Sequence, residues 1–434
     1  MSLKENLLAT FPNIQTTEAD NFKEIRKNAL ENFDEKGFPT RKEEAWRFTS
    51  LNPILREEYN LEIPETKIDI DKIKSYYIPE ADTYKVVFVN GVLQEDLSDL
   101  VTGKGYIITT LDKAKQDENY KEIVAKHYNQ IAKKESMAEL NTALSTNGLF
   151  VHASKSVVID KPIELFYFAS SQDALLLQPR NLIVAEVNSD IQVIERHQNL
   201  SDNTVLTNSV TEVYNSKDAQ VHIYKIQANT HKSSLIDGTY IYQEEKTESR
   251  VHTFAFGGKI TRNNLEFYQN GEYSNSILKG VTILEEKEHV DHHTLVHHKE
   301  ENCESYQDYK GIYSDRSHGV FNGKIFVEKT AQKLNAYQQN NNIVVDDRAT
   351  VNAKPQLEIF ADDVRCSHGC TVGRLPEEAL FYLRSRGIPK KEAEAVLMYA
   401  FANTVLESVR IPALRKEVAR LIANKLGVSI ELEF

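Results

Sequence analysis

Near the end of the chain, the stretch DDVRCSHGCTVG (residues 362–373) sets Cys366, His368 and Cys370 at alternate positions. Thiolate and imidazole are the side chains that hold zinc or an iron–sulfur fragment. On an extended strand successive side chains alternate, so these three share one face. A closed structural zinc site takes four ligands, usually from two paired knuckles. Here there is a single cluster, and the third and last cysteine, Cys303, lies far upstream, so one chain cannot build a cage of four thiolates. Three readings stay open: a finished site, half of a site shared with another surface, or small buried side chains where a strand ends.

A second cluster, HVDHHTLVHH (289–298), holds five histidines in ten positions. Alternation puts His289, Asp291, His293 and His297 on one face and His292 and His298 on the other. At about 3.3 Å per residue one strand cannot wrap them around one ion, so scattered hydrogen bonding is expected. QQNNN (338–342) reads as a stacked amide ladder with a structural role. The pairs Asp346–Asp347 and Asp362–Asp363 invite a glycosidase or lyase reading, but they sit at expected turns, where acids are ordinary.

The elements that must position these residues follow from periodicity. Helical spacing marks 21–39, where Phe22, Ile25, Ala29, Leu30 and Phe33 recur before Gly37 and Pro39. In RKEEAWRFTSL (41–51) the single tryptophan, Trp46, is expected to be a packing anchor. YKVVFVNGVLQ (84–94) predicts two strands around an Asn-Gly turn. A lysine- and glutamate-rich stretch at about 111–146 reads as helical.

Beyond Leu149 nearly everything alternates as strand and turn. Polar clusters at 285–287, 300–302, 315–317, 330–332, 346–348 and 362–364 follow one another at steps of 15, 15, 15, 16 and 16 residues. Two strands per roughly 30 residues suit a solenoid whose rungs stack. After Pro376 the helical period returns at 376–387, 389–409 and 412–427. These helices are expected to cap the solenoid. The chain thus divides into a helical region (1–83), a mixed connection (84–148), a β-helix core (149–375) and a C-terminal helical region (376–434).

Composition narrows the function. The net charge of −12 argues against non-specific binding to nucleic acid or anionic membrane. No Walker A, GxSxG or HExxH pattern is present. Three cysteines in 434 residues are no disulfide framework, and with no signal-peptide pattern a cytoplasmic setting is expected.

KPQLEIFADDVRCSHGCTVGRLPEEALFYLRSRGI (354–388) resembles the C-terminal signature of the SufB/SufD family of iron–sulfur cluster assembly proteins. The resemblance continues through VFNGKIFVEKTAQKLNAYQQNNNIVV (320–345) and HVDHHTLVHH (289–298), and EEAWRFTSL (43–51) resembles the SufD branch. It implies a mainly β fold, a right-handed parallel β-helix flanked by helical regions, and a subunit without catalysis of its own. It also implies pairing with SufB through the β-helices and a SufC ATPase on the C-terminal helices, to which Arg384, Arg386, Tyr399 and Phe401 would contribute.

In that family the CSHG histidine is linked to iron acquisition and nascent clusters at the SufB–SufD interface. This maps onto His368, with Cys366 beside it, and onto transient iron or cluster rather than a tightly bound cofactor. Many relatives have a small residue such as alanine at Cys370, so its role stays open. Two other classes remain: a β-helical carbohydrate-active enzyme, and a stand-alone homodimeric metal-binding scaffold.

Overall fold

The computed structural model describes residues 2–14, 20–62, 69–132 and 135–428; residue 1 and residues 429–434, at the ends of the two expected helical regions, lie outside the described residues. Strands deal alternately into two sheets. Eight successive pairs form the coils of a parallel β-helix, from Leu149–Ala153 with Ile163–Ala169 to Thr350–Ile359 with Val364–Gly373. The polar clusters of regular spacing fall at the breaks between these strands.

Register between coils is continuous, so each lumenal position continues as a row. One row runs Val193, Ile223, Val251 and Leu278, then turns polar as Gln307, Gln338 and His368. The aliphatic part belongs to the main core, with Ile183, Val213, Ile241, Leu265 and Phe267 from the facing sheet. One corner of successive coils holds a residue at positive φ: Asn188, Asp218, Lys246, Tyr273, Asn302 and Lys333. Each donates its N–H to a carbonyl of the next coil's corner, from Asn188 to Lys217 through to Lys333 to Asp363. That ladder satisfies the turn backbone and holds the coils in phase.

At the N-terminal end the strand Tyr84–Val89 stacks in parallel on Ile163–Ala169. It turns through Asn90 and Gly91, both at positive φ, into the antiparallel Val92–Leu93, as the Asn-Gly pair predicts. The helix Asp20–Lys36 buries Phe22, Ala29 and Phe33. Trp46 is buried with the Arg262 guanidinium 3.9 Å from its ring centre, the packing anchor expected.

The C-terminal helices differ from the expected cap. They lie along the flank of the solenoid, where Val405, Leu406, Leu414, Val418 and Ile422 pack on Ile194, Tyr224, Ile226, Phe254, Val281 and Ile283. The cause is the outer face of those strands, which is apolar and must be covered. Outward positions of the last strand, Arg365, Ser367, Gly369, Thr371 and Gly373, offer no such surface. Among the described residues no element covers the terminal coil, and its strands are half-exposed or exposed along their length.

Candidate functional site

Val364–Gly373 is the last strand of its sheet and pairs on one side only, with Leu334–Val344. Cys366, His368 and Cys370 do share one face, and that face is the lumenal one. In register behind them lie Ala336, Gln338 and Asn340. Cys366 is half-buried, while His368 and Cys370 are exposed at the open coil. Positions two residues apart on a strand are about 6–7 Å apart, so the three do not converge. Among the described residues no group of three or more His, Cys, Asp or Glu is arranged to hold a metal ion. The row offers single ligands in a line, facing whatever covers the coil.

Burial pushes both the Cys366 and the Cys370 thiols upward from their ordinary range. They are neutral thiols near pH 7, and a metal must displace the proton to bind sulfur. Cys370 Sγ lies 3.9 Å from Asn340 Oδ1, a weak contact.

Beneath this row is a polar floor that sequence reading took for a ladder. Asn342 Nδ2 donates to Asn340 Oδ1 at 2.7 Å and to the Thr371 carbonyl at 3.2 Å. Gln338, however, is 1% exposed, and neither its Oε1 nor its Nε2 has a partner. Gln307 Oε1 accepts from Thr294, but its Nε2 is also unpartnered. Each such amide costs roughly 1–3 kcal/mol. A run of Gln at one lumenal position, two coils deep behind a histidine, was the signal that could have found them. A cleft of about 610 Å³ along the same strands is bordered by Lys279, Tyr306, Asp308, Tyr337, Gln339, Ser367 and Gly369, and Gln307, Gln338 and His368 also line it. Tyr306 and Tyr337 stack there at 5.3 Å.

The histidine-rich strand is engaged in scattered hydrogen bonds. His289 Nε2 meets Thr49 Oγ1 at 2.9 Å, Thr49 donates to Asp291 at 2.6 Å, and His289 Nδ1 meets His318 Nδ1 at 3.0 Å. Asp291 is also paired with Arg262. On the lumenal face His292 meets Thr282 at 2.8 Å and His298 meets Ser305 at 3.0 Å. Burial holds His289, His292 and His293 down to about 4 and His298 to about 3.

The four residues expected to meet an ATPase are divided. Arg384 and Arg386 are exposed, with Arg386 over the Tyr382 ring at 5.3 Å. Tyr399 and Phe401 are half-buried against the flank, and Lys310 lies 4.9 Å from the Phe401 ring. The helix Glu377–Ser385 has no buried residue, and its Phe381 and Tyr382, not singled out in the sequence, are 74% and 57% exposed. The acidic pairs lie on turns: Asp346 bonds Arg348 at 2.9 Å, and Asp347 pairs with Arg374.

Comparison with known proteins places this architecture. A family model described as the SUF system FeS cluster assembly, SufBD core domain, matches residues 167–401, and one for the SufBD protein N-terminal region matches 8–165. The iron–sulfur cluster assembly protein SufD of Escherichia coli is 28% identical over 393 residues, covering 90% of each chain. That of Bacillus subtilis is 26% identical over 428 residues, covering 93% of this chain and 94% of its own. A SufBD family protein of Synechocystis is 28% identical over 402 residues, covering 89% and 87%. Two family models that together take in nearly the whole solenoid and its N-terminal helices leave one conclusion: the chain belongs to the SufB/SufD family of iron–sulfur cluster assembly proteins.

Proposed function

We propose that this chain is a non-catalytic cytoplasmic subunit of a Suf assembly complex, pairing through its open terminal coil with a SufB-type β-helix. The observation that carries the reading is the coil itself: its lumenal row ends in the exposed His368, with no element among the described residues over it. A partner coil laid on that end would cover Cys366, His368 and Cys370 and supply the ligands they lack. Iron or a nascent cluster is cargo in this scheme. An incomplete ligand line favours release, whereas four thiolates from one chain would retain it.

In the same reading a SufC-type ATPase docks on the C-terminal helices, around Arg384, Arg386 and the exposed Phe381 and Tyr382, with Tyr399 and Phe401 serving as the hinge to the flank. Without SufB, two copies would join by the same open coil as a homodimer. The carbohydrate-active reading is weakened at Asp346 and Asp347, which are engaged with Arg348 and Arg374.

The test is anaerobic co-expression with the cognate SufB and SufC, followed by iron analysis of the purified complex for wild type and His368→Ala. Loss of iron from an intact complex is expected. Unchanged iron in an intact complex would reduce His368 to a strand-end residue and overturn the assignment.

A further inference from the structure

The lumen is not apolar throughout. Two residues beyond Val193 and Ile223, Glu195 and Lys225 sit in register on neighbouring strands, and Asp237 meets them from the facing sheet. Their side chains are 2%, 4% and 1% exposed, so the group is closed to water. Lys225 Nζ lies 2.7 Å from Asp237 Oδ2 and 3.5 Å from Glu195 Oε1. Gln227 Nε2 donates to the same Asp237 Oδ2 at 3.4 Å, whereas Asp237 Oδ1 has no hydrogen-bond partner among the described residues. Burial pushes the Asp237 carboxyl upward, with Lys225 opposing and Glu195 adding to it. Burial also disfavours the Lys225 ammonium, but Asp237 and Glu195 outweigh it and raise its value, so a free amine forms only when the ammonium passes a proton to Glu195. An amine, a carboxyl carbon and a second carboxylate thus stand together in a dry site. Groups held in this way react as if at a concentration far above any in solution. The buried ion pair also carries a desolvation cost that a neutral amide does not.

We propose that Lys225 and Asp237 condense within the folded chain to an isopeptide bond, with Glu195 as the proton acceptor. The ammonium passes one proton to Glu195, and the freed Nζ lone pair attacks Asp237 Cγ, one bond beyond Oδ2. The C–N bond forms while Gln227 Nε2 bears on the oxygen that takes up the charge. The C–O bond to the Cγ hydroxyl then breaks, and that hydroxyl leaves as water with the surplus proton of the nitrogen. No oxidant or co-reactant is consumed. Oδ2 stays as the amide carbonyl and accepts from Gln227, the unpartnered Oδ1 is the oxygen expelled, and the new N–H faces Glu195. The reaction is needed once per chain, so a slow rate suffices. Its product fastens the strand Gln220–Gln227 to Ser233–Gln243 across the lumen, in a coil far from Val364–Gly373. The inference does not depend on the reading of the open coil.

The test is mass spectrometry of the full-length chain, purified folded and then denatured. Intact wild type is expected to weigh less than its sequence by one water. Trypsin should leave the bond after Lys225 uncut, and peptides 218–232 and 233–246 should be recovered joined through Lys225 and Asp237. Two variants, checked for folding by circular dichroism, complete the set. Glu195→Gln keeps the shape and loses the proton acceptor; Lys225→Arg keeps the charge and cannot form the amide. Both should show the full mass of their sequences and no joined peptide. A folded wild type at its full sequence mass overturns the proposal. So does a missing water found within unjoined 233–246, because Asp237–Gly238 can lose water alone by closing to a succinimide. A joined peptide at wild-type yield in E195Q overturns it too, by removing Glu195 from the reaction.

Discussion

Replacing Gln338 by methionine keeps the volume of the side chain and removes its amide. In the fold both amide atoms are sequestered without partners, and the residue is 1% exposed. Deleting an unsatisfied buried amide recovers about 1–3 kcal/mol. Volume-conserving exchange of this kind costs under about 1.5 kcal/mol in packing, so the net expectation is a gain of up to about 2 kcal/mol. With an unfolding entropy of about 2.1 cal/mol/K per residue over 434 residues, each kcal/mol moves the thermal midpoint by about 1 °C. A calorimetric scan of the isolated chain should therefore show a rise of about 1–2 °C. Iron retained by the SufB-containing complex should fall, because the polar floor behind His368 is gone. A fall in the midpoint of more than about 2 °C would refute the reasoning. It would mean that Gln338 is fully hydrogen-bonded in solution and that its burial is ordinary structure.

Two further outcomes follow from the buried charges. Arg196 and Glu417 form an ion pair at 3.0 Å, both nearly inaccessible, that fastens the helix Pro412–Leu426 to the solenoid. Glu417→Ala strands the Arg196 cation and should cost about 3–5 kcal/mol, read as a lowered urea midpoint with faster amide exchange across 412–426; an unchanged midpoint would show that the flank needs no such fastening. The depressed values of His289, His292, His293 and His298 mean that the fold holds these rings neutral while the unfolded chain titrates near 6.5. Between about pH 6.5 and 4 the unfolded state binds more protons, so stability is full above pH 6.5 and declines on acidification. Urea midpoints from pH 7.5 to 5 should fall, and His298→Gln should flatten the decline; a flat wild-type profile would contradict the burial of these rings.

Much of the solenoid was legible because its geometry repeats. The polar clusters recur at nearly constant spacing since each coil must reverse twice over the same distance, and the alternation in HVDHHTLVHH separates its faces as the pleat does. What was not legible depends on partners distant in sequence. The helical period over 389–409 does not say which part meets the flank: Val396 and Ala400 are exposed, while Val405 and Leu406 are buried. The missing cap was hidden likewise, because the attraction came from Ile194, Tyr224 and Phe254, far upstream. Gln338 read as one amide among five until register set it behind His368.

The flank-docked helices also give the molecule an order of disassembly. In a stacked array each coil leans on its neighbours, and an end coil has only one. The C-terminal cluster ties strands from Asp190–Asn199 as far as Leu334–Val344, through Ile194 at one end and Ile343 at the other. Val364–Gly373 lies beyond that clamp. The chain should fray from this end first, peeling back one strand while the remaining coils stay wound. The residues that would hold the cargo thus sit on the part of the protein that opens most cheaply, and letting go requires no unfolding of the rest.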